Sequence, residues 1–194
     1  MQYRNATVSD IPQIEDLQKR YHVSFISLAE KKNGFITTLF TTEQLKELIK
    51  TENGISLACD GEMIAAYAMA GSWQYWNKWP LFQQMISDLP NTEYLGQTLS
   101  IENSYQYGPV CIDKDYRGMG VLQELFAYSA RQMNARYRLL ITFINHINER
   151  SFKAHTQKVG MEVIKSFAFD GNNYYELGYD TARALTKEMT DQPT

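Results

Sequence analysis

Apolar positions along the chain change period several times, and the changes mark out the elements. Residues 3–8 read as a short first strand, and Ser9 or Asp10 stands as N-cap of the helix that follows. In that helix Ile11, Ile14, Leu17 and Tyr21 recur at helical spacing, and Pro12 is tolerated in a first turn whose N–H groups have no partner. A second helix is predicted over 42–50, with Leu45, Leu48 and Ile49 on one face and Thr41 or Thr42 as cap. Residues 55–59 and 63–70 are apolar runs joined by Asp60-Gly61-Glu62, a strong hairpin signal.

The stretch 71–104 breaks this rhythm. Trp73, Tyr75, Trp76, Trp79 and Phe82 precede Met85, Ile86 and Leu89 at helical spacing, and Pro90 ends the pattern. This predicts an inserted segment of one or two amphipathic helices. From Tyr107 the texture is regular again: a strand over 107–112, a turn over 113–120, and a helix over 121–134 with Leu122, Leu125, Phe126 and Met133 buried. A strand over 138–144, a helix over 150–159 and two strands over 162–169 and 174–179 complete the pattern. The order predicts a single α/β domain over 1–194, an α+β mixed sheet with helices on both faces. The insertion lies at about 71–104, and a tail from about 181 to 194 is expected to fray.

Composition narrows the function. A formal net charge of −3 argues against a nucleic-acid binder, which needs a basic face. No block of like charge suggests a membrane patch, and no stretch approaches the ~20 apolar residues a spanning helix requires. Cys59 and Cys111 sit in apolar runs without the paired spacing of a metal site, so no metal is expected. The first ten residues lack the apolar core of a signal peptide. A reduced, cytoplasmic protein is the expectation.

The chemistry concentrates in residues 110–125, VCIDKDYRGMGVLQEL. A strand ends at Ile112, a turn supplies Arg117, Gly118, Met119 and Gly120, and a helix begins at Val121. Glycines at a helix mouth let the backbone approach a ligand, and the unpaired N–H groups of the first turn then converge on one spot favourable to an anion. The dipole alone contributes only about 0.3–2 kcal/mol, so several N–H bonds and Arg117 must supply the rest. The dinucleotide fingerprint fails because its third glycine position is Gln123, and no Lys-Ser or Lys-Thr pair makes a P-loop.

In these residues the chain resembles the GNAT N-acetyltransferase superfamily, whose pyrophosphate loop reads R/Q-x-x-G-x-G/A after a strand. Arg117-Gly118-Met119-Gly120-Val121-Leu122 matches it except at Leu122, where Gly or Ala is usual. A second family segment, Asn-x-x-Ala/Ser on a helix ending in Gly-Phe, corresponds to Asn148, Ser151, Gly160 and Met161, with a helix one residue longer than usual.

The resemblance implies the GNAT fold: a mainly antiparallel sheet with a central, splayed parallel strand pair that leaves a slot for acetyl-CoA. Val110, Cys111 and Ile112 would pair with its pantetheine arm, and the loop from Arg117 to Leu122 would hold the pyrophosphate. Asn148 would bond the pantetheine amides, beside Ser151. The implied activity is direct transfer of an acyl group to a primary amine of a small molecule, amino acid or peptide. A catalytically silent coenzyme A sensor of the same fold is the alternative, and a homodimer is left open.

Such enzymes need a base for the incoming ammonium; Glu102, Asn145 acting through a water, and His146 are the candidates, with Glu102 preferred. The family's tyrosine acid is missing: His155 or Thr156 takes its place depending on the direction of counting, and His155 is expected to donate the proton or bind the cofactor. Trp73, Trp76 and Tyr105, within an aromatic cluster read chiefly as core, are the candidate acceptor pocket.

Overall fold

A computed structural model describes residues 1–185. Its main sheet has seven strands: β1 (Gln2–Asn5), β2 (Ile55–Asp60), β3 (Met63–Gly71), β6 (Ser104–Ile112), β7 (Leu139–Asn145), β9 (Asn172–Asp180) and β8 (Glu162–Phe169), in that spatial order. Two-residue strands β4 (Glu93–Tyr94) and β5 (Gln97–Thr98) form a separate small hairpin in the insertion. The first four strands pair antiparallel, as do β7–β9 and β8–β9; only β6 and β7 run parallel.

Helices cover both faces. On one, α1 (Ile11–Tyr21), α3 (Thr42–Glu47) with the π turn Leu48–Glu52 after it, α4 (Trp73–Trp76) and α5 (Pro80–Asp88) bury Ile14, Leu17, Leu45, Leu48, Trp76 and Phe82 in one apolar cluster. On the other, α6 (Val121–Asn134) sets Leu125, Phe126 and Met133 against Tyr105, Tyr107 and Tyr179. The short α7 (Glu149–Lys153) flanks the cleft between β6 and β7, and α2 (Leu28–Lys31) leads into residues 32–36, which line it.

Local differences from the sequence reading have physical causes. The first strand stops at Asn5, because the Asp10 carboxylate accepts from the Thr7 amide at 2.7 Å and from Arg4, and so draws 8–10 into a 3-10 turn capped by Thr7. The tail does not fray at Thr181: that residue is fully buried, and its hydroxyl donates to Asn134 Oδ1 at 2.8 Å. The remainder of the expected tail, 186–194, lies outside the described residues. Among the described residues no helix is long and apolar enough to cross a membrane.

The decisive feature is where β6 and β7 part. They pair at Ser104–Leu139, Tyr105–Leu140 and Gln106–Ile141, and no further. On its other side β6 carries a bulge, since Ala68 faces Val110 while Ala70 faces Tyr107, which leaves one extra residue on β6 around Gly108-Pro109. A bulge bends its strand, so the C-terminal half of β6 swings away from β7 and a cleft opens between them.

Candidate functional site

Two cavities occupy this cleft. The larger, about 430 Å³, is lined by Val110, Cys111 and Ile112 from β6, by Arg117, Gly118, Gly120, Val121 and Leu122 from the loop, and by Asn148, Ser151 and His155 from the next helix. The smaller, about 100 Å³, lies on the β7 side and shares Val110, Asn148, Ser151 and His155 with it. Sequence-distant segments thus converge because β6, the loop and the helix after β7 all end at the same edge of the sheet.

The loop is built to present backbone amides. Gly118 (φ +86°) and Gly120 (φ +81°) adopt the left-handed backbone that favours glycine, and a Cβ at either would meet nothing within 4 Å. The amides of Gly118 to Leu122 find no backbone acceptor among the described residues. The loop is braced from behind: Asp113, buried and ion-paired to Arg20, accepts from the Asp115 amide at 3.1 Å. Arg117 donates to the Ile112 carbonyl at 2.9 Å and to the Asn33 carbonyl at 2.8 Å, and lies 4.7 Å from the Tyr21 ring centre. Lys32, Arg150, Lys153 and Lys158 also line the larger cavity, against a single carboxylate among the described residues, Glu149. A chain of net negative charge therefore has a locally basic cleft, which sequence reading missed. Positions 150 and 153 share a helix face, but 153 and 158 would lie about 140° apart on an α-helix, so no local spacing announced the cluster.

Asn148 is engaged within the protein. It caps α7 by accepting from the Ser151 amide at 3.3 Å, and it donates to the Phe35 carbonyl at 3.1 Å. With Arg117 it ties down a strap, residues 32–38, that borders both cavities and that the sequence reading did not assign. After α7 the helix continues as a π turn, Ala154–Val159, closed by the amides of Gly160 and Met161 on the His155 carbonyl. A π turn absorbs one extra residue without shifting the chain beyond it, which accounts for the longer helix between Asn148 and Gly160.

His155 is 7% exposed. Its Nδ1 lies 2.8 Å from the Ser151 carbonyl, and a carbonyl can only accept, so Nδ1 carries the hydrogen and Nε2 keeps a lone pair in the neutral ring. Burial pushes its pKa below the ordinary histidine value, and the Ser151 bond only partly opposes this. The neutral ring thus offers an acceptor at Nε2, where the sequence reading expected His155 to donate the proton or bind the cofactor.

Other candidates fall elsewhere. Glu102 is exposed in the turn before β6, roughly 25 Å of chain from Val110, and lines neither cavity. It is at the wrong end of the strand to be a base, because the cleft opens at the far end. Trp73, Trp76 and Tyr105 are core residues, not a pocket: Trp73 Nε1 donates to Ser104 Oγ at 3.0 Å and Trp76 Nε1 to the Gly71 carbonyl at 3.2 Å, while Tyr105 is fully buried beneath α6. The insertion contributes Phe82 to the smaller cavity instead. His146 stacks on Tyr175 at 3.8 Å, away from both cavities. Asn145 lines the smaller one. Met119 is exposed beside the loop, 70% open to solvent. No cluster of three or more potential metal-ligating side chains occurs among the described residues.

This geometry, an amide-rich loop at the mouth of a helix beside a splayed parallel strand pair, is the GNAT acetyltransferase fold. The chain is similar to an N-acetyltransferase from Staphylococcus aureus over 93% of its own length and 98% of that chain, with TM-score 0.61 and 17% identity. The protein yncA from Salmonella typhimurium, solved with its cofactor acetyl-CoA, aligns over 93% of both chains with TM-score 0.63 and 12% identity. A GNAT-family protein from Desulfovibrio desulfuricans aligns over 93% and 98%, with TM-score 0.59 and 14% identity. No family model matches the sequence, and no curated protein does. At these identities the likeness defines the fold.

Proposed function

We propose that this chain is an acyl-CoA-dependent N-acyltransferase that uses acetyl-CoA and passes the acyl group directly to a primary amine. The observation that carries the reading is the row of unpaired amides from Gly118 to Leu122, which opens into the same basic cavity as the unpaired edge of β6. That donor set fits a diphosphate: several N–H groups at a helix N-terminus, open space over two glycines, and cations at the rim.

When bound, acyl-CoA supplies an activated thioester. The residues of this chain do the rest. Val110 to Ile112 offer main-chain groups on the side that β7 has left, suited to the amides of a pantetheine arm. A β6 amide near Val110 would steady negative charge developing on the thioester oxygen. Because both cavities share Val110 and His155, donor and acceptor meet at one point, and proximity contributes much of the rate. His155 Nε2 is the group poised to take the proton leaving the nitrogen and to return it to the departing sulfur.

Calorimetry with coenzyme A, followed by thiol release from acetyl-CoA over a panel of amines, tests the proposal. Binding with amine-dependent thiol release is expected. No uptake of coenzyme A would end it, and binding without release to any amine would leave the silent sensor.

A further inference from the structure

The smaller cavity has chemistry of its own. Among the described residues, none that lines it is Asp, Glu, Lys or Arg. Phe40, Phe82, Phe143 and Tyr174 give it aromatic walls, with Phe143 ring centres 5.5 Å from both Phe82 and Tyr174. Also in the lining is Gln106, 1% exposed. Its Nε2 donates to the Tyr107 carbonyl at 2.7 Å, and since that oxygen can only accept, the amide cannot be turned the other way round. The atom left over is Oε1, a buried acceptor with no partner among the described residues. Buried acceptors are almost always satisfied, and one bordering a ligand cavity calls for a hydrogen-bond donor, which an amine N–H can supply.

We propose that this cavity takes a small primary monoamine with no carboxylate and no second charge, its nitrogen held by Gln106 Oε1; the proposal rests on the acyltransferase reading above. A carboxylate here would be stripped of water with no cation to meet it, and a second ammonium would find no anion. The volume, about 100 Å³, is below the roughly 150 Å³ that encloses a benzene ring, so the body of the amine is short or reaches outward past Thr37 and Thr38. Uncharged walls also favour the neutral amine over its ammonium form, which is the form that reacts. The ammonium gives one proton to solvent on entry. The neutral nitrogen then bonds to the acyl carbon, the carbon–sulfur bond breaks, and the nitrogen's surplus proton passes by His155 Nε2 to the thiolate. An amide and a free thiol result.

The experiment compares butylamine with norvaline, 1,4-diaminobutane and a dipeptide as acceptors, with acetyl-CoA binding measured alongside. Butylamine should exceed each charged competitor in kcat/KM by about 100-fold or more. Equal or better use of norvaline, the diamine or the dipeptide would overturn the inference while leaving the acyltransferase intact. Failure to bind acetyl-CoA, or binding with no amine used, would instead overturn the underlying reading. Q106L should raise the KM for butylamine about 5- to 10-fold with acetyl-CoA affinity unchanged, and an unchanged KM would remove Gln106 from the site. If Q106L does not fold, Q106N withdraws the same oxygen by one carbon and is read in the same way.

Discussion

Replacing His155 with alanine probes the chemistry most directly. A free alkyl amine has a pKa near ~10, so at pH 7.5 only about 0.3% is neutral, a handicap of about 3.4 kcal/mol. An imidazole whose pKa is pushed below 6.5 by burial is at least about 90% neutral at that pH, with Nδ1–H held by Ser151 and Nε2 able to accept. General-base help of this kind is worth about 10²–10⁴-fold, so H155A should lose on the order of 10²-fold or more in kcat/KM. The fold of the cleft is checked by coenzyme A affinity, expected to stay within about two-fold because the loop amides are untouched.

The pH profile separates a chemical role from a packing one. In the wild type two groups must be deprotonated, so log(kcat/KM) should climb with a slope of about 2 below the His155 pKa and about 1 between that pKa and the amine's. H155A should show a slope of about 1 throughout. Lys32, Lys153, Lys158, Arg150 and Glu149 share the cavity with the imidazole. A variant with wild-type rate and an unchanged two-slope profile would refute the assignment. The sign of the stability effect is also fixed. The folded pKa lies below the unfolded one, so the unfolded state binds more protons, and stability rises with pH through that window and is level above about 6.5. H155A should lose this limb in urea titrations run between pH 5 and 7.

Other outcomes rest on the same structure. G120V puts a β-branched residue at φ +81°, which should cost about 1–2 kcal/mol in strain and misalign the loop amides, weakening coenzyme A binding by calorimetry by more than the loss in Tm alone explains. W76A should lower stability by about 3–5 kcal/mol in chemical denaturation without changing the preference among amines, since Trp76 is core and lines no cavity. Burial pushes the Cys111 thiol up to about 12, so it should resist an aromatic disulfide reagent at pH 8 until the chain unfolds. The Arg4 guanidinium holds the Asp10 carboxyl down to about 2, from 3.8 when unfolded; the pair should stabilise by about 1–2 kcal/mol above pH 4, an amount lost as pH falls from 3.8 toward 2 and absent in D10N.

Much of this was legible in the chain. Strand and helix order, the hairpin at Asp60-Gly61 and the loop at Arg117–Gly120 are written in local signals: a period of two or 3.6, a turn dipeptide, glycines before a helix. The lining of the smaller cavity was not. Whether Glu102 or Gln106 meets the cleft depends on where the parallel pairing of β6 and β7 stops, and that is set by a bulge and by long-range contacts with no local mark. The aromatic cluster misled for a similar reason. Trp73 and Trp76 have the composition of a binding pocket, yet their indole N–H groups are spent on Ser104 and Gly71, a fact visible only once the insertion has folded back onto the sheet.

The extra residue between Asn148 and Gly160 links the sequence departure to the chemistry. Were that segment a plain α-helix, one added residue would rotate everything after it by about 100° and carry the Gly160 turn away from β8. A π turn takes up the residue in place, so Asn148 keeps its cap on Ser151 and Gly160 its left-handed stop, while the position in between presents His155 to both cavities with Nδ1 tied to the Ser151 carbonyl. Under the proposed mechanism this imidazole must first receive a proton before it can give one. On that proposal a base on the acceptor side is less necessary, and a smaller cavity lined by no carboxylate among the described residues is chemically consistent: the proton leaving nitrogen and the proton reaching sulfur can be the same one, carried by a single buried ring.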